Sequence, residues 1–275
     1  MRRLLALASL LLAVPFASSC GDSGVSGTTV TRSTSDDIVL HATYRRQSSA
    51  VQLPTVLLIH EDGPGHDRDD FEPAWSLLEN QGFNLLAIDL RSHGDSDVAG
   101  SPDDLRTDPN GYTIDLLTWL DFLQERSDQA DPIDRERIGV IGLGVGGSLA
   151  VAGIQKNQID CGIAISPAVD EVEALRGGIA YRGADGDDDD SAAGDDDDSA
   201  AGDDDDDDGL DPITNVAFID GSGAGTADDT QALYDQAQDE RSILFVDGPQ
   251  SGALILEDFD EALAVVGAWC WDLLQ

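Results

Sequence analysis

Apolar residues gather in short solid runs along this chain, and stretches with helical spacing separate them. Residues 38–44 alternate as an early strand. Residues 54–59 (PTVLLI) and 83–90 (FNLLAIDL) are unbroken runs, the pattern of strands covered on both faces. Between them, 71–81 places Phe71, Trp75, Leu77 and Leu78 on one side of a helix. Residues 112–124 repeat the pattern with Leu116, Leu117, Leu120, Phe122 and Leu123. A strand over 137–141, a helix over 146–155 and a strand over 161–166 follow, and then the alternation breaks. It resumes with a strand at 215–219, a helix at 228–236, a strand at 242–246 and a last helix at 259–274. Such alternation predicts an α/β fold: a mostly parallel, doubly wound sheet with helices on both faces, forming one domain over 36–274.

The break, about 167–213, contains the repeat GDDDDSAA, GDDDDSAA, GDDDDDDG, beginning at Gly186, Gly194 and Gly202. No apolar stripe exists there to bury, and like charges repel. Residues 183–210 are therefore expected to be an acidic, disordered insert. Asp204, Asp206, Asp208 and Gly209 spell the start of a calcium loop, but the closing Glu is replaced by Asn215. Weak, nonspecific association of divalent cations is the expectation for the Asp tract.

Residues 1–19 read as an export signal. Arg2 and Arg3 precede an apolar run from Leu4 to Phe16, too short to span a bilayer. The run ends in Ala17-Ser18-Ser19-Cys20, which resembles the bacterial lipobox. That resemblance implies lipid attachment at Cys20, a membrane partner through this anchor, and residence in the bacterial cell envelope, at the outer membrane or periplasmic face. Residues 20–35, rich in Gly, Ser and Thr, then read as a flexible tether. Of the other cysteines, Cys161 is expected in a strand and Cys270 in the last helix, both as buried small apolar residues, with a disulfide between them as the alternative that an oxidising compartment permits.

Charge narrows the function. Fifteen Lys and Arg stand against 55 Asp and Glu, a formal net charge of −40, and Lys156 is the only lysine. A polyanion repels phosphate backbones, so nucleic acid is excluded as a partner. The 41% of hydrophobic residues, arranged in runs, equally excludes a wholly disordered chain.

Three segments stand out in order: residues 57–63 (LLIHEDG), which end a strand, residues 89–97 (DLRSHGDSD), and residues 137–150 (RIGVIGLGVGGSLA), which join a strand to a helix. Together they resemble the α/β-hydrolase superfamily in the branch of dienelactone hydrolases and small serine esterases or peptidases. In that resemblance His60-Glu61-Asp62-Gly63 stands like the strand-end HGxG loop of the oxyanion hole, Asp89 to Ser96 is close to D-x-R-G-H-G-x-S, and Gly142-Leu143-Gly144-Val145-Gly146-Gly147 follows the nucleophile elbow G-x-S-x-G-G.

The resemblance implies a catalytic triad, and all three of its positions are vacated here. Gly144 takes the place of the nucleophilic Ser, Ala224 that of the acid, and Ser251 that of the His. Asp220 and Asp228 flank the acid position out of register. All four histidines (His41, His60, His66, His93) precede the elbow, whereas the family order is Ser, acid, His. Ser148 lies inside the following helix, where it is expected to bond back to a carbonyl or pack. No catalytic residue is assigned. The expectation is a noncatalytic relative, binding an unknown small molecule or envelope protein at a vestigial pocket of His60, Glu61, Asp62, Gly144 and Val145, whose acidic lining excludes anions.

Two catalytic alternatives stay open. The run from Gly142 to Gly147 also satisfies G-x-G-x-x-G, the dinucleotide fingerprint, with Asp160 as a candidate ribose ligand. An active hydrolase could instead use a noncanonical site or a metal, because His60, His66, Asp67, Asp69 and Asp70 crowd one loop. His60 is more cheaply explained as a structural loop residue and the Asp cluster as solvated surface. Neither a metal ligand nor a cofactor is assigned.

Overall fold

The computed structural model describes residues 27–48, 51–128, 133–180, 212–238, 240–258 and 260–274. The signal, Cys20 and the acidic insert lie outside the described residues. Eight strands form one sheet in the order β1-β2-β4-β3-β5-β6-β7-β8. β1 (Thr28–Ser33) pairs antiparallel with β2 (Val39–Arg45), which pairs antiparallel with β4 (Asn84–Ile88). From there the sheet is parallel: β4, β3 (Leu53–Ile59), β5 (Ile133–Leu143), β6 (Cys161–Ile165), β7 (Val216–Gly221) and β8 (Arg241–Val246). The predicted doubly wound, mostly parallel α/β architecture is the one observed.

Alternate residues of each strand feed separate cores, which is why the apolar runs are unbroken. Leu57, Ile59, Leu86, Ile88 and Val140 pack on α3 (Tyr112–Asp128), α4 (Val145–Gln155) and α5 (Val169–Arg176), through residues such as Trp119, Leu149 and Val172. α6 (Ala227–Gln236) adds Leu233 to this face. Val56, Leu58, Leu85, Ile141 and Ile163 face the other way, onto Ala74 and Leu78 of α1 (Glu72–Asn80). α7 (Ala253–Asp258) and α8 (Asp260–Leu274) complete that layer with Ile255, Leu256, Ala262 and Val266. A short helix, α2 (Pro102–Leu105), opens with the Ser101 side chain accepting from the Asp104 amide.

Four expectations need correction. The tether read over 20–35 ends sooner, because Thr28–Ser33 pairs residue by residue with β2. Its β-branched residues suit an exposed edge strand, although their polarity resembles a linker. The break after β6 is also shorter, since α5 begins three residues past Ser166 with its apolar Val172 and Leu175 buried. The strand read over 137–141 starts earlier, at Ile133, with a register shift against β3 between Leu53 and Thr55. The last predicted helix is preceded by the separate turn of α7. Cys161 is a free, buried thiol whose pKa burial pushes up to about 12.

β3 lies between β4 and β5, so the chain leaves β3 to one side and later returns on the other. Crevices for ligands form at such a switch, beyond the carboxyl ends of the strands. The loop after β3 and the turn after β5 both stand there.

A candidate active site

The turn after β5 keeps the shape of a nucleophile elbow. Gly144 sits at φ 52°, ψ −119°, a left-handed conformation that favours glycine, and its amide donates to the Ile165 carbonyl at 2.8 Å. The flanking glycines allow strand and helix to approach closely. A Cβ on Gly142 would lie 2.0 Å from the Gly146 carbonyl oxygen, and one on Gly146 would lie 2.2 Å from the Ile59 carbonyl oxygen. The glycines of the apparent dinucleotide fingerprint are thus accounted for by packing at the elbow. Val145, at the start of α4, is buried.

What covers the elbow is Glu61. A Cβ on Gly144 would stand 2.9 Å from Glu61 Cβ, and one on Gly252 would stand 2.1 Å from Glu61 Oε2. The Ala253 amide donates to Glu61 Oε1 at 3.0 Å, which ties the loop after β3 to the turn after β8. Ser251, at the family's His position, immediately precedes this contact. The pocket residues expected to line an open mouth therefore divide. Glu61 and Gly144 meet, while Asp62 turns aside to pair with Arg106 (2.7 Å). His60 faces inward: its Nε2 accepts from the Leu90 amide at 3.0 Å, and its Nδ1–H donates to the Glu61 carbonyl. Burial pushes the His60 pKa down to about 3, leaving a neutral ring that ties the loop to β4. The anion-excluding pocket expected from the sequence is, at its centre, filled by its own acidic side chain.

The second motif also works as scaffold. The Gly63 amide donates to His93 Nε2 at 3.0 Å. Arg91 pairs with Asp115 and Asp36, and Ser96 Oγ donates to the Asp89 carbonyl at 2.9 Å. Ser92 stands at φ 67° where the family pattern has glycine.

At the acid position, Ala224 lies in the turn after β7, its amide donating to the Gly221 carbonyl. Asp220 is fully buried, and its carboxylate is committed to four donors: Ser166 Oγ (2.7 Å), the Gly221 amide, Thr226 Oγ1 and Thr230 Oγ1 (each 2.8 Å). Ser148 is fully buried and bonds back to a carbonyl, as expected, and it makes a further bond. Its oxygen is 3.4 Å from the Gly144 carbonyl, but its shorter bond, 2.7 Å, goes to Glu171 Oε2, and it accepts from the Ala168 amide. Burial pushes the Glu171 pKa up to about 7, against the lowering effects of Ser148 and Arg106.

One cluster was only partly visible in the sequence. His66 Nδ1 lies 2.9 Å from Asp70 Oδ2 and 3.4 Å from Glu61 Oε1. Gly63 and Gly65, both at positive φ, fold the loop back, and a 3-10 turn (Arg68–Phe71) brings Asp70 under the ring. Burial pushes the Asp70 pKa up to about 6, with Glu61 and Asp67 adding to the rise and His66 opposing it. Crowding in the loop pointed to His66 and Asp70; Glu61 joins them only through the fold.

Residues 56–273 match the sequence model of the alpha/beta hydrolase family, and the chain belongs to that family. No curated protein matches it. Among solved structures it resembles the esterase Pf2001 of Pyrococcus furiosus, with a TM-score of 0.64 at 17% identity over 91% of this chain and 94% of that one. A dienelactone hydrolase from Anabaena variabilis gives 0.56 at 14% identity, over 90% and 96%. An alpha-beta serine hydrolase homologue from Coxiella burnetii gives 0.58 at 11%, over 90% and 97%. At these identities the likeness is one of fold.

Proposed function

We propose that this chain is an exported, lipid-anchored α/β-hydrolase relative that has lost Ser–acid–His chemistry and serves as a noncatalytic binding or surface protein of the cell envelope. The observation carrying this reading is the elbow itself: its backbone takes the positive-φ turn of a nucleophile elbow, yet the residue there is glycine and Glu61 is packed over it. A glycine offers no atom to attack a carbonyl, and a carboxylate beside it repels a developing oxyanion. Asp220, one of the two carboxylates flanking the acid position, is spent on four structural donors. The lipobox-like Ala17-Ser18-Ser19-Cys20 supports the anchor.

Hydrolysis of p-nitrophenyl acetate by the full chain in detergent tests the loss. The expected rate equals that of heat-killed protein, for the unaltered chain, for Gly144→Ser, and for Gly144→Ser with Glu61→Gly. Turnover by the unaltered chain well above that background would overturn the reading. Labelling with radioactive palmitate, abolished by Cys20→Ala, tests the anchor separately.

A further inference from the structure

We propose that Glu61, His66 and Asp70 form a binding site for one first-row divalent cation such as Zn2+, at the edge of the vacated elbow. The three side chains each offer one ligand atom, and these atoms lie within 4.8 Å of one another. Two ligands about 2.1 Å from a metal stand about 3.0 Å apart at a right angle and about 3.4 Å apart at the tetrahedral angle. The observed separations from His66 Nδ1, 2.9 and 3.4 Å, are those edges.

The donor set is one imidazole nitrogen and two carboxylate oxygens, which suits Zn2+ or Mn2+ rather than a soft, thiolate-seeking ion. Charge favours the same occupant. Two carboxylates converge on a single ring nitrogen, which can donate at most one proton between them. Arg68, the nearest cation in sequence, turns away to Asp89 and Asp95. The ligands are also held in place. The Ala253 amide fixes Glu61, and Asp67 caps the 3-10 turn that carries Asp70 by accepting from the Asp69 amide. Side-chain exposures of 33% for His66, 20% for Glu61 and 13% for Asp70 leave a path for an ion to enter. Metal binding does not depend on whether the chain is catalytic, so the proposal stands or falls apart from the preceding one.

The test is titration of the metal-stripped full chain in detergent with ZnCl2 in 0.5 M NaCl, which screens the weak, diffuse binding of the Asp tract. One tight site per chain is expected. His66→Ala should abolish it, and Asp70→Asn, which removes a ligand charge, should weaken it by more than the roughly 10–100-fold that loss of an outer-sphere partner costs. Asp69→Ala, altering a neighbour outside the cluster, should leave it unchanged. A second measurement needs no variant: the His66 ring resonances of the folded chain should shift on adding one equivalent of Zn2+. Equal Zn2+ binding by the unaltered chain and His66→Ala, or His66 resonances indifferent to Zn2+, would overturn the proposal. Either result would leave an imidazole held between two carboxylates as the whole content of the cluster.

Discussion

Single residues decide what this fold can do, and the most informative are carboxylates in unusual surroundings. Glu171 is buried against Ser148 and Arg106, with its pKa raised to about 7 from an ordinary 4.5. The folded chain therefore holds this proton more tightly than the unfolded chain does. Stability should fall as pH rises from about 4.5 to about 7 and then level off, a loss of roughly 3 kcal/mol. Glu171→Gln should remove that part of the slope and raise stability at pH 8, read as the difference between variant and unaltered urea melts from pH 5 to 8. The positions Gly144, Ala224 and Ser251 could be singled out because a family pattern orders its motifs along the chain. The bonds joining Glu61 to Ala253 and Ser148 to Glu171 were not legible there. Each joins separate elements, and no local periodicity encodes such a meeting.

At the level of elements, the strand–elbow–helix unit is held by atoms too close for any side chain. Gly146→Ala would drive a methyl to 2.2 Å from the Ile59 carbonyl oxygen, so a loss of about 3 kcal/mol is expected in thermal or urea unfolding. Gly225→Ala, where nothing lies within 4 Å, should change stability by less than about 0.5 kcal/mol. The buried strands and the long helices were readable because burial on both faces leaves solid apolar runs and an amphipathic helix leaves a stripe. β1 was missed because an edge strand is half solvated, and Thr-Thr-Val-Thr-Arg-Ser reads equally well as a linker. α5 was missed because its few apolar residues, Val169, Val172 and Leu175, lie close to a long acidic tract that dominates the local composition.

For the whole molecule, the alternation of strands and helices carried the architecture, and the order of three motifs carried the family. Charge is the other global property. A formal net charge of −40 opposes compaction, and screening relieves it. Raising NaCl from 0.05 to 1 M should lift the melting temperature by roughly 5 °C, measured by circular dichroism. Neutral osmolyte at equal osmolality should not reproduce the gain in full. Among the described residues no helix is long and apolar enough to cross a membrane. The bridge from Glu61 to Ala253, between loops 192 residues apart, also bears on how this sequence can change. A serine arising at 144 would enter space that Glu61 already occupies, and a smaller residue at 61 would first release the turn after β8. On the proposed reading, each single step towards a working elbow costs stability before it offers any activity. Once taken, the path to this sequence behaves as a ratchet, along which drift can carry the chain onward but not easily back.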